Sequence, residues 1–176
     1  CHSNNTKDAR IVYTDNNNND IKNNYVYFNP SETLAQAFYL EYIDGNRFFN
    51  NTVINANCGT GSAIYSKKND GNGEFQMKDC RFSNCKGTDG VFIYIPILKN
   101  TLNIENTIFE HTKNYASEND LIYIKYEGKE PKLSFIGCQF RYLECSSRAG
   151  GGIGVFFYCE GNTVISFENT IFEHIY

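Results

Sequence analysis

Residues 133–140 read LSFIGCQF, and the same arrangement of apolar positions occurs four times in the chain. The first, third and eighth positions are apolar, and the sixth is Cys or Thr. The closing phenylalanines follow one another after 27, 31 and 32 residues. A period of about thirty residues is typical of a solenoid, in which each unit buries its apolar face against its neighbours. The other copies are 75–82 (FQMKDCRF), 102–109 (LNIENTIF) and 165–172 (ISFENTIF).

Each copy predicts a strand, a tight corner and a second strand. Its apolar residues alternate as they do on a strand, where successive side chains point to opposite faces. The fourth and fifth positions interrupt the alternation, and in three copies they are polar turn formers. These interrupting pairs are 78–79, 105–106, 136–137 and 168–169.

A third strand is expected in every unit, preceded by glycine or acidic turn residues, at 63–65, 91–94, 121–124 and 153–157. Three short strands without an intervening helix predict an all-β, single-stranded parallel β-helix of about five coils, each of roughly 27–34 residues. The coils should be right-handed, as parallel crossovers almost always are. A leucine-rich repeat is disfavoured because its units are shorter and carry an Asn-Leu ladder that this chain lacks.

Equivalent residues of stacked coils should lie above one another at about 4.8 Å. The closing phenylalanines therefore predict one buried aromatic column, with Phe48 as a fifth member: Phe48, Phe82, Phe109, Phe140 and Phe172. Cys80 and Cys138 should share a second inward column, two coils apart. A disulfide needs Cα atoms within about 7 Å, so these two should not bond, and we interpret them as small buried residues.

We expect a single β-helix domain over 1–176, with an irregular or capping segment at 1–33 and regular coils over 34–176. Residues 10–13 and 25–28 are predicted as short strands, and 15–24 as a loop. The stretch 34–43 fits a helix or a strand. We favour the strand, because Ile43 stands five residues before Phe48, as Met77 stands before Phe82. The chain looks like a fragment of a longer array with flanking coils.

Short motifs add a family resemblance. Residues 48–51 read FFNN, 61–65 read GSAIY and 150–153 read GGGI. These resemble the FxxN and GGA-[ILV] motifs of polymorphic outer-membrane-protein-like surface proteins, a right-handed β-helix repeat group. The resemblance covers 48–176. Because members are mostly cell-surface or secreted proteins, often linked to adhesion, it implies an extracellular or surface location.

Composition excludes several functions. The formal net charge is −4 and basic residues do not cluster, so nucleic acid is not an expected partner. The longest apolar run, 91–98, is too short to span a bilayer. With neither CxxC nor CxxH spacing, we expect no metal and no cofactor. Seven cysteines, an odd number, leave at least one thiol unpaired or paired outside the chain, which keeps an intracellular assembly component as an alternative.

No catalytic residue is predicted, because no two acidic residues are adjacent in the chain. The dipeptide Glu-His occurs twice, two coils apart, as Glu110-His111 and Glu173-His174. Arg141 is expected to lie between the two copies. Such a polar patch could bind an anionic sugar or move a proton. We favour the simpler interpretation, that these are solvated corner residues repeated because the coil is repeated.

The third strand is apolar at consecutive positions, so both of its faces are expected to avoid water. One face should fill the core, and the other should expose an apolar ladder of the kind that marks an interface. Its predicted members are Ile64, Phe92, Ile122 and Phe156. Alternatively, the N-terminal segment of the same chain covers this face.

These observations favour a non-catalytic scaffold or adhesive stalk of a surface or secreted protein, which contacts a protein or a glycan on another surface. The alternative is a glycan-binding or glycan-processing domain, since β-helices also host polysaccharide lyases and hydrolases. Those enzymes usually build their clefts from long loops, and the loops expected after Phe48 are short.

The inward position of Phe140 can be tested by truncation. Phe140→Ala should lower the free energy of unfolding by roughly 3–5 kcal/mol, because both neighbouring coils hold the vacated space open. Urea denaturation measures the change, with Ser134→Ala on the outward face as control. A loss below about 1 kcal/mol would contradict an inward Phe140.

Overall fold

A computed structural model of the chain describes residues 9–29, 35–68, 73–88, 90–114, 121–126, 132–145, 157–160 and 164–176. In this part of the chain the strands follow one another in sets of three, each set forming one coil. The first two coils are β1 (Ala9–Thr14), β2 (Asp20–Lys22), β3 (Tyr25–Tyr27), and β4 (Ala35–Tyr42), β5 (Arg47–Phe49), β6 (Thr52–Ile54). The next two are β7 (Ile64–Lys68), β8 (Phe75–Lys78), β9 (Arg81–Ser83), and β10 (Ile93–Leu98), β11 (Leu102–Glu105), β12 (Ile108–Asn114). The last two are β13 (Ile122–Tyr126), β14 (Lys132–Ile136), β15 (Gln139–Cys145), and β16 (Phe157–Glu160), β17 (Val164–Glu168), β18 (Ile171–Ile175).

The strands form three parallel sheets, and every coil contributes one strand to each. Sheet A holds the first strand of each coil, sheet B the second and sheet C the third, so each described sheet has six strands. The predicted all-β parallel solenoid with three short strands per coil is therefore confirmed. Each strand pairs with the equivalent strand of the next coil, which brings residues about thirty positions apart into contact.

The corner between sheets B and C contributes one apolar pair per coil to the core. The first member lies on sheet B and the second follows five residues later on sheet C, across a corner. Successive pairs are in register along the axis, and both members are buried in all but the last coil. The pairs are Ile21 and Val26, Phe48 and Val53, Met77 and Phe82, Ile104 and Phe109, Phe135 and Phe140, Phe167 and Phe172.

The predicted aromatic column is confirmed for four of its five members. Ring centroids are 5.4 Å apart between Phe82 and Phe109, 4.9 Å between Phe109 and Phe140, and 5.0 Å between Phe140 and Phe172. Phe172 lies in the last described coil, and 49% of it is exposed. The placement of Phe48 in this column is wrong. Phe48 lies before the corner, in register with Met77, and Val53 stands below Phe82 instead.

The segment 1–33 was expected to be irregular or to cap the solenoid, and its described part forms a regular coil. β1 pairs in register with β4, β2 with β5 and β3 with β6. β2 lies inside the stretch that was expected to be a loop, because Ile21 buries its side chain against Phe48 of the next coil. The strand interpretation of 34–43 is right for its described part, since β4 pairs on both sides, with β1 and β7.

Corners between sheets B and C use one left-handed residue each. It is Asn23, Asn50, Asp79, Asn106, Gly137 or Asn169, with φ between 47° and 64°. Asn, Asp and Gly adopt this conformation most readily. The predicted turn residues therefore serve a conformation that every coil repeats.

At four of these corners the inward residue that follows donates a hydrogen bond to the preceding coil. Asn51 donates from Nδ2 to the carbonyl of Ile21 at 2.7 Å, and Thr170 donates from Oγ1 to the carbonyl of Phe135 at 3.1 Å. The thiols of Cys80 and Cys138 donate to the carbonyls of Phe48 and Ile104. Cys80 and Cys138 are free thiols, as predicted, and they satisfy buried carbonyls besides filling space.

The turn leading into sheet A requires a glycine at Gly90, and this requirement can be tested. Gly90 has φ +52°, and a Cβ there would lie 2.5 Å from the carbonyl oxygen of Ile93. Gly90→Ala should cost at least about 2 kcal/mol, because a left-handed alanine alone costs about 1–2 kcal/mol. At Gly59 a Cβ meets nothing within 4 Å. Gly59→Ala is the matched control and should stay within about 0.5 kcal/mol of wild type in urea denaturation. Equal effects at the two glycines would contradict this account.

Candidate functional site

The predicted polar patch centres on a buried carboxylate. Glu110 lies on β12 with 1% of its surface exposed. Arg81, from the preceding coil, donates from Nε to Glu110 Oε1 at 2.6 Å, and its Nη2 contacts the same oxygen. Arg141, from the following coil, approaches Oε2 with Nε and Nη2, both at 2.8 Å. Both carboxylate oxygens therefore accept charge-assisted hydrogen bonds, one from each flanking coil.

The charge of Glu110 is fixed by these two arginines. Burial alone would raise the pKa of the Glu110 carboxyl, but the hydrogen bonds and charges of Arg81 and Arg141 outweigh it and hold the pKa below its usual range. A carboxylate with a lowered pKa remains ionised at neutral pH and is poorly suited to donate a proton. Glu110 is thus not a solvated corner residue, as the sequence suggested, but a buried ionic link between three coils.

The two histidines of the patch belong to an outer column of rings. Tyr142 stacks between His111 and His174, with both centroid distances at 4.8 Å. All three residues have left-handed φ angles, between 52° and 55°. Asn55 and Asn84 hold the same conformation at the same corner of earlier coils. The backbone geometry is therefore set by the coil, which agrees with the interpretation of these histidines as repeated corner residues.

The structure brings the predicted patch together only in part. Glu110 and Arg141 form an ion pair, and His111 Nε2 lies 4.0 Å from Glu110 Oε2. Glu173 is exposed and in register with Arg141. His174 is connected to the patch by stacking on Tyr142, which stacks in turn on His111. Sequence reasoning missed Arg81, because its position on β9, two residues after Asp79, carries no motif.

A shallow groove opens beside the outer rings. Its volume is about 320 Å³, and it is lined by His111, Thr112, Tyr142, Glu144 and Tyr176. In the part of the chain that the structure describes, the Thr112 hydroxyl is a buried side-chain oxygen with no hydrogen-bond partner. Thr112 is in register with Leu143, a core residue, so its side chain points inward rather than into the groove.

The predicted apolar ladder on sheet A is wrong. Ile64, Phe92 and Ile122 are fully buried, and Phe156 lies outside the described residues. Phe92 was also placed out of register with the other two described residues, because Ile64 and Ile122 align with Ile93 rather than with Phe92. Both Phe92 and Ile93 are buried because the chain turns into the strand at this point. The N-terminal strand β1 does not cover the outer face of sheet A, since it extends the sheet beside β4.

The outer face of sheet A carries tyrosines instead. One tyrosine per coil is in register along the whole sheet: Tyr13, Tyr39, Tyr65, Tyr94, Tyr123 and Tyr158. We call the first five, whose rings are described, the tyrosine column. Their centroids are 5.4, 5.0, 5.4 and 4.6 Å apart in order, with interplanar angles of 7° to 18°. Such offset stacking stabilises the sheet by roughly 0.5–1.5 kcal/mol per pair.

Basic side chains accompany the tyrosine column. The Arg10 guanidinium lies 3.7 Å from the ring centroid of Tyr39. Lys67 donates to Glu41 at 2.9 Å, and Lys68 lies 3.5 Å from the same oxygen. The pKa of Tyr39 is raised by burial and by the nearby Glu41 carboxylate, so its hydroxyl remains protonated at neutral pH.

Neither a metal-ion cluster nor a membrane-spanning helix is found among the described residues. No three His, Cys, Asp or Glu side chains among them are grouped as a metal ion would require. In the same residues, no helix has the length and apolar character needed to cross a bilayer.

Comparison with known proteins identifies the family of the chain. The model of the right-handed β-helix region matches residues 10–176, and the chain therefore belongs to that family. This match also confirms the predicted right-handed coil. No curated protein and no solved structure matches the chain.

The ionic link at Glu110 predicts a pH-dependent stability. Its folded pKa lies below the unfolded value of about 4.3, so its contribution is complete above about pH 4.3 and is lost as the pH falls through the folded pKa. Glu110→Gln should cost about 1–3 kcal/mol at pH 7, and this cost should shrink at pH values below about 4.

Urea denaturation of both proteins at neutral and acidic pH provides the measurement. The control is Glu105→Gln, which removes an exposed ion pair with Lys78 at 3.2 Å. That change should cost less than about 1 kcal/mol at pH 7. A Glu110→Gln cost that stays constant with pH would contradict the link.

Proposed function

We propose that the chain is a non-catalytic segment of a surface or secreted β-helical protein, serving as a scaffold or adhesive stalk. The observation that carries the proposal is the pairing of Glu110. This carboxylate is the most deeply buried member of the polar patch, and Arg81 and Arg141 occupy both of its oxygens. The carboxylate best placed to act as an acid or base is therefore held in ion pairs that join neighbouring coils.

The regular stacking of coils also supports a scaffold. Equivalent strands pair from β1 to β18, with one register shift between β10 and β13, so force applied along the axis would be shared by three continuous sheets. Sheet A repeats one tyrosine per coil in register, and such a repeated surface suits binding to an extended partner. The partner we propose is a protein or a glycan on another surface.

Membership of the polymorphic outer-membrane-protein-like group is part of this proposal. The residues of the motifs have clear physical roles here. In FFNN, Phe48 fills the core and Asn51 hydrogen-bonds the preceding coil. In GSAIY, Gly61 has φ +58° and the buried Ser62 accepts from the backbone N–H of Cys58 at 2.9 Å. These roles explain why the motifs recur in such a coil.

A glycan-processing enzyme is the second candidate, and the groove beside the outer rings favours it. His111 and Glu144 both line this groove, and they are residue types that transfer protons. Against it, Glu110, which lies 4.0 Å from His111, is held ionised by two arginines.

The location we propose is extracellular or on the cell surface, and the alternative is an intracellular assembly component. Cys58, Cys80, Cys85 and Cys138 are free thiols in the structure. Burial raises the pKa of Cys80 to about 11 and that of Cys85 to about 12, so neither should react readily. A thiol count on native and denatured protein would report whether the remaining cysteines are oxidised, as expected outside the cell.

A glycan array combined with a reducing-sugar assay separates the two candidate functions. We expect binding without turnover. His111→Ala and His174→Ala should leave every measured activity unchanged, because these residues serve the corner and not a reaction. Release of reducing ends by the wild type, abolished by His111→Ala, would overturn the scaffold proposal and establish the enzyme.

A further inference from the structure

We propose that Asn50 is a site of N-linked glycosylation, which receives an oligosaccharide from a lipid-pyrophosphate donor. The inference rests on the proposed function, because this modification is made on chains that enter a secretory compartment. It adds to that function a modification site at the corner between sheets B and C. Neither the tyrosine column nor the groove beside the outer rings takes part in it.

The acceptor sequence lies at residues 50–52, which read Asn-Asn-Thr. The transferases that make N-glycans recognise Asn-x-Ser/Thr, in which the middle residue is not proline. None of the other five described corners between sheets B and C carries this sequence. Two of them come close, because residues 106–108 and 169–171 both read Asn-Thr-Ile. In those two corners the hydroxyl comes one residue too early for the transferase.

The fold turns both recognised side chains outward. Asn50 is exposed and Thr52 is partly exposed on β6, whereas Asn51 between them is fully buried. In the fourth coil, which carries Asn-Thr-Ile, the same alternation directs Thr107 inward, and it is fully buried. The second coil differs because Asn51 makes the inward hydrogen bond to the preceding coil. Its threonine is therefore left on the outer surface, in the third position of the acceptor sequence.

The corner has room for a bulky substituent. The neighbours of Asn50 along the axis are Asn23 and Asp79, and both are exposed. Asn50 donates from Nδ2 to Asn23 Oδ1 at 2.9 Å, in an exposed hydrogen bond. A glycosylated amide keeps one N–H, so this bond can persist. The folded coil therefore accommodates the modification without repacking its core.

The transfer joins the amide nitrogen to a sugar. Asn50 Nδ2 attacks the anomeric carbon of the donor sugar, and a C–N bond forms. The C–O bond to the pyrophosphate breaks, so the lipid pyrophosphate leaves with the electron pair. One amide proton passes to a base of the transferase, and no group is oxidised or reduced. The product is a bulky, hydrophilic chain attached to the corner.

A glycan at this corner would restrict where a partner can bind. Asn50 lies in the second coil, on the edge between sheets B and C. The tyrosine column lies on the outer face of sheet A, and His111 lies two coils further along the axis. Because an N-glycan is bulky and hydrophilic, it would cover the edge near Asn50 and leave these two surfaces free.

Protein recovered from the surface and the medium of the cells that produce it tests the proposal. Peptide N-glycosidase in heavy-oxygen water converts a glycosylated asparagine into labelled aspartate, and mass spectrometry locates the label. We expect the label at position 50 and none at position 106. Asn106 is the internal control, because it has the same backbone conformation but lacks the hydroxyl two residues later.

Two outcomes separate this inference from the proposed function. An unmodified Asn50 in surface or secreted protein would overturn the inference and leave the proposed function intact. Recovery of the protein from the cytosol alone, with Asn50 unmodified, would refute the proposed function as well.

Substitutions separate the acceptor sequence from the fold, in protein secreted from a eukaryotic host and measured on the peptide that contains residues 48–54. Thr52→Val removes the hydroxyl but keeps a β-branched residue on β6, and it should abolish the glycan. Thr52→Ser is the matched control and should retain it. Because transfer takes place before the chain folds, loss of the glycan in Thr52→Val does not report misfolding.

A second variant removes the acceptor itself. Asn50→Gly should abolish the glycan, and glycine suits the left-handed corner, as Gly137 does in the fifth coil. Thermal melting should therefore show that this variant folds. A glycan that persists on the same peptide in Thr52→Val or Asn50→Gly would overturn the assignment to Asn50.

Discussion

In-register pairing between successive coils is the constraint on which the rest of the structure depends. Every strand hydrogen-bonds to the equivalent strand of its neighbours, so a position in one coil lies directly above the same position in the next. A residue that points inward in one coil therefore packs between the inward residues of the neighbouring coils. The corners must also match, because one coil that turned differently would break the pairing of all three sheets.

The corners show how this constraint selects residues. Asn, Asp and Gly occupy the left-handed position between sheets B and C, where each coil must turn sharply. At the next corner, after sheet C, the same conformation is held by Asn55 and Asn84 and later by His111, Tyr142 and His174. Stacking of these three rings offsets part of the strain of left-handed aromatic residues. The geometry of the corner is thus sufficient to explain why these residues recur.

The outer surface obeys a weaker form of the same rule. An outward side chain needs only to fit beside the equivalent side chains of neighbouring coils. The residue type therefore changes from coil to coil along most outer ladders. Glu110 uses it to join two arginines from flanking coils, which turns a potential acid into a structural ion pair. The tyrosine column is the exception, since one residue type recurs along the sheet and its rings stack continuously.

The sequence by itself determined the class of fold, the period of the coil, the column from Phe82 to Phe172 and the inward position of Cys80 and Cys138. Each of these depends on local alternation and on spacing within one coil, which a single chain displays directly. It also contained the apolar pair five residues apart in every coil, including Ile21 with Val26. The aromatic identity of Phe48 obscured this pair, because Phe48 looked like the closing phenylalanine and Val53 did not.

Only the tertiary structure decided which side chains meet between coils and which face water. The coils differ in length, so a shift of one residue exchanges inner and outer faces, and Ile64 and Ile122 were placed on the wrong side for this reason. The partnership of Arg81 with Glu110, 29 positions apart, needs the register of two coils at once. The tyrosine column likewise becomes visible only when six strands are aligned, because no single coil distinguishes an outward tyrosine from a buried one.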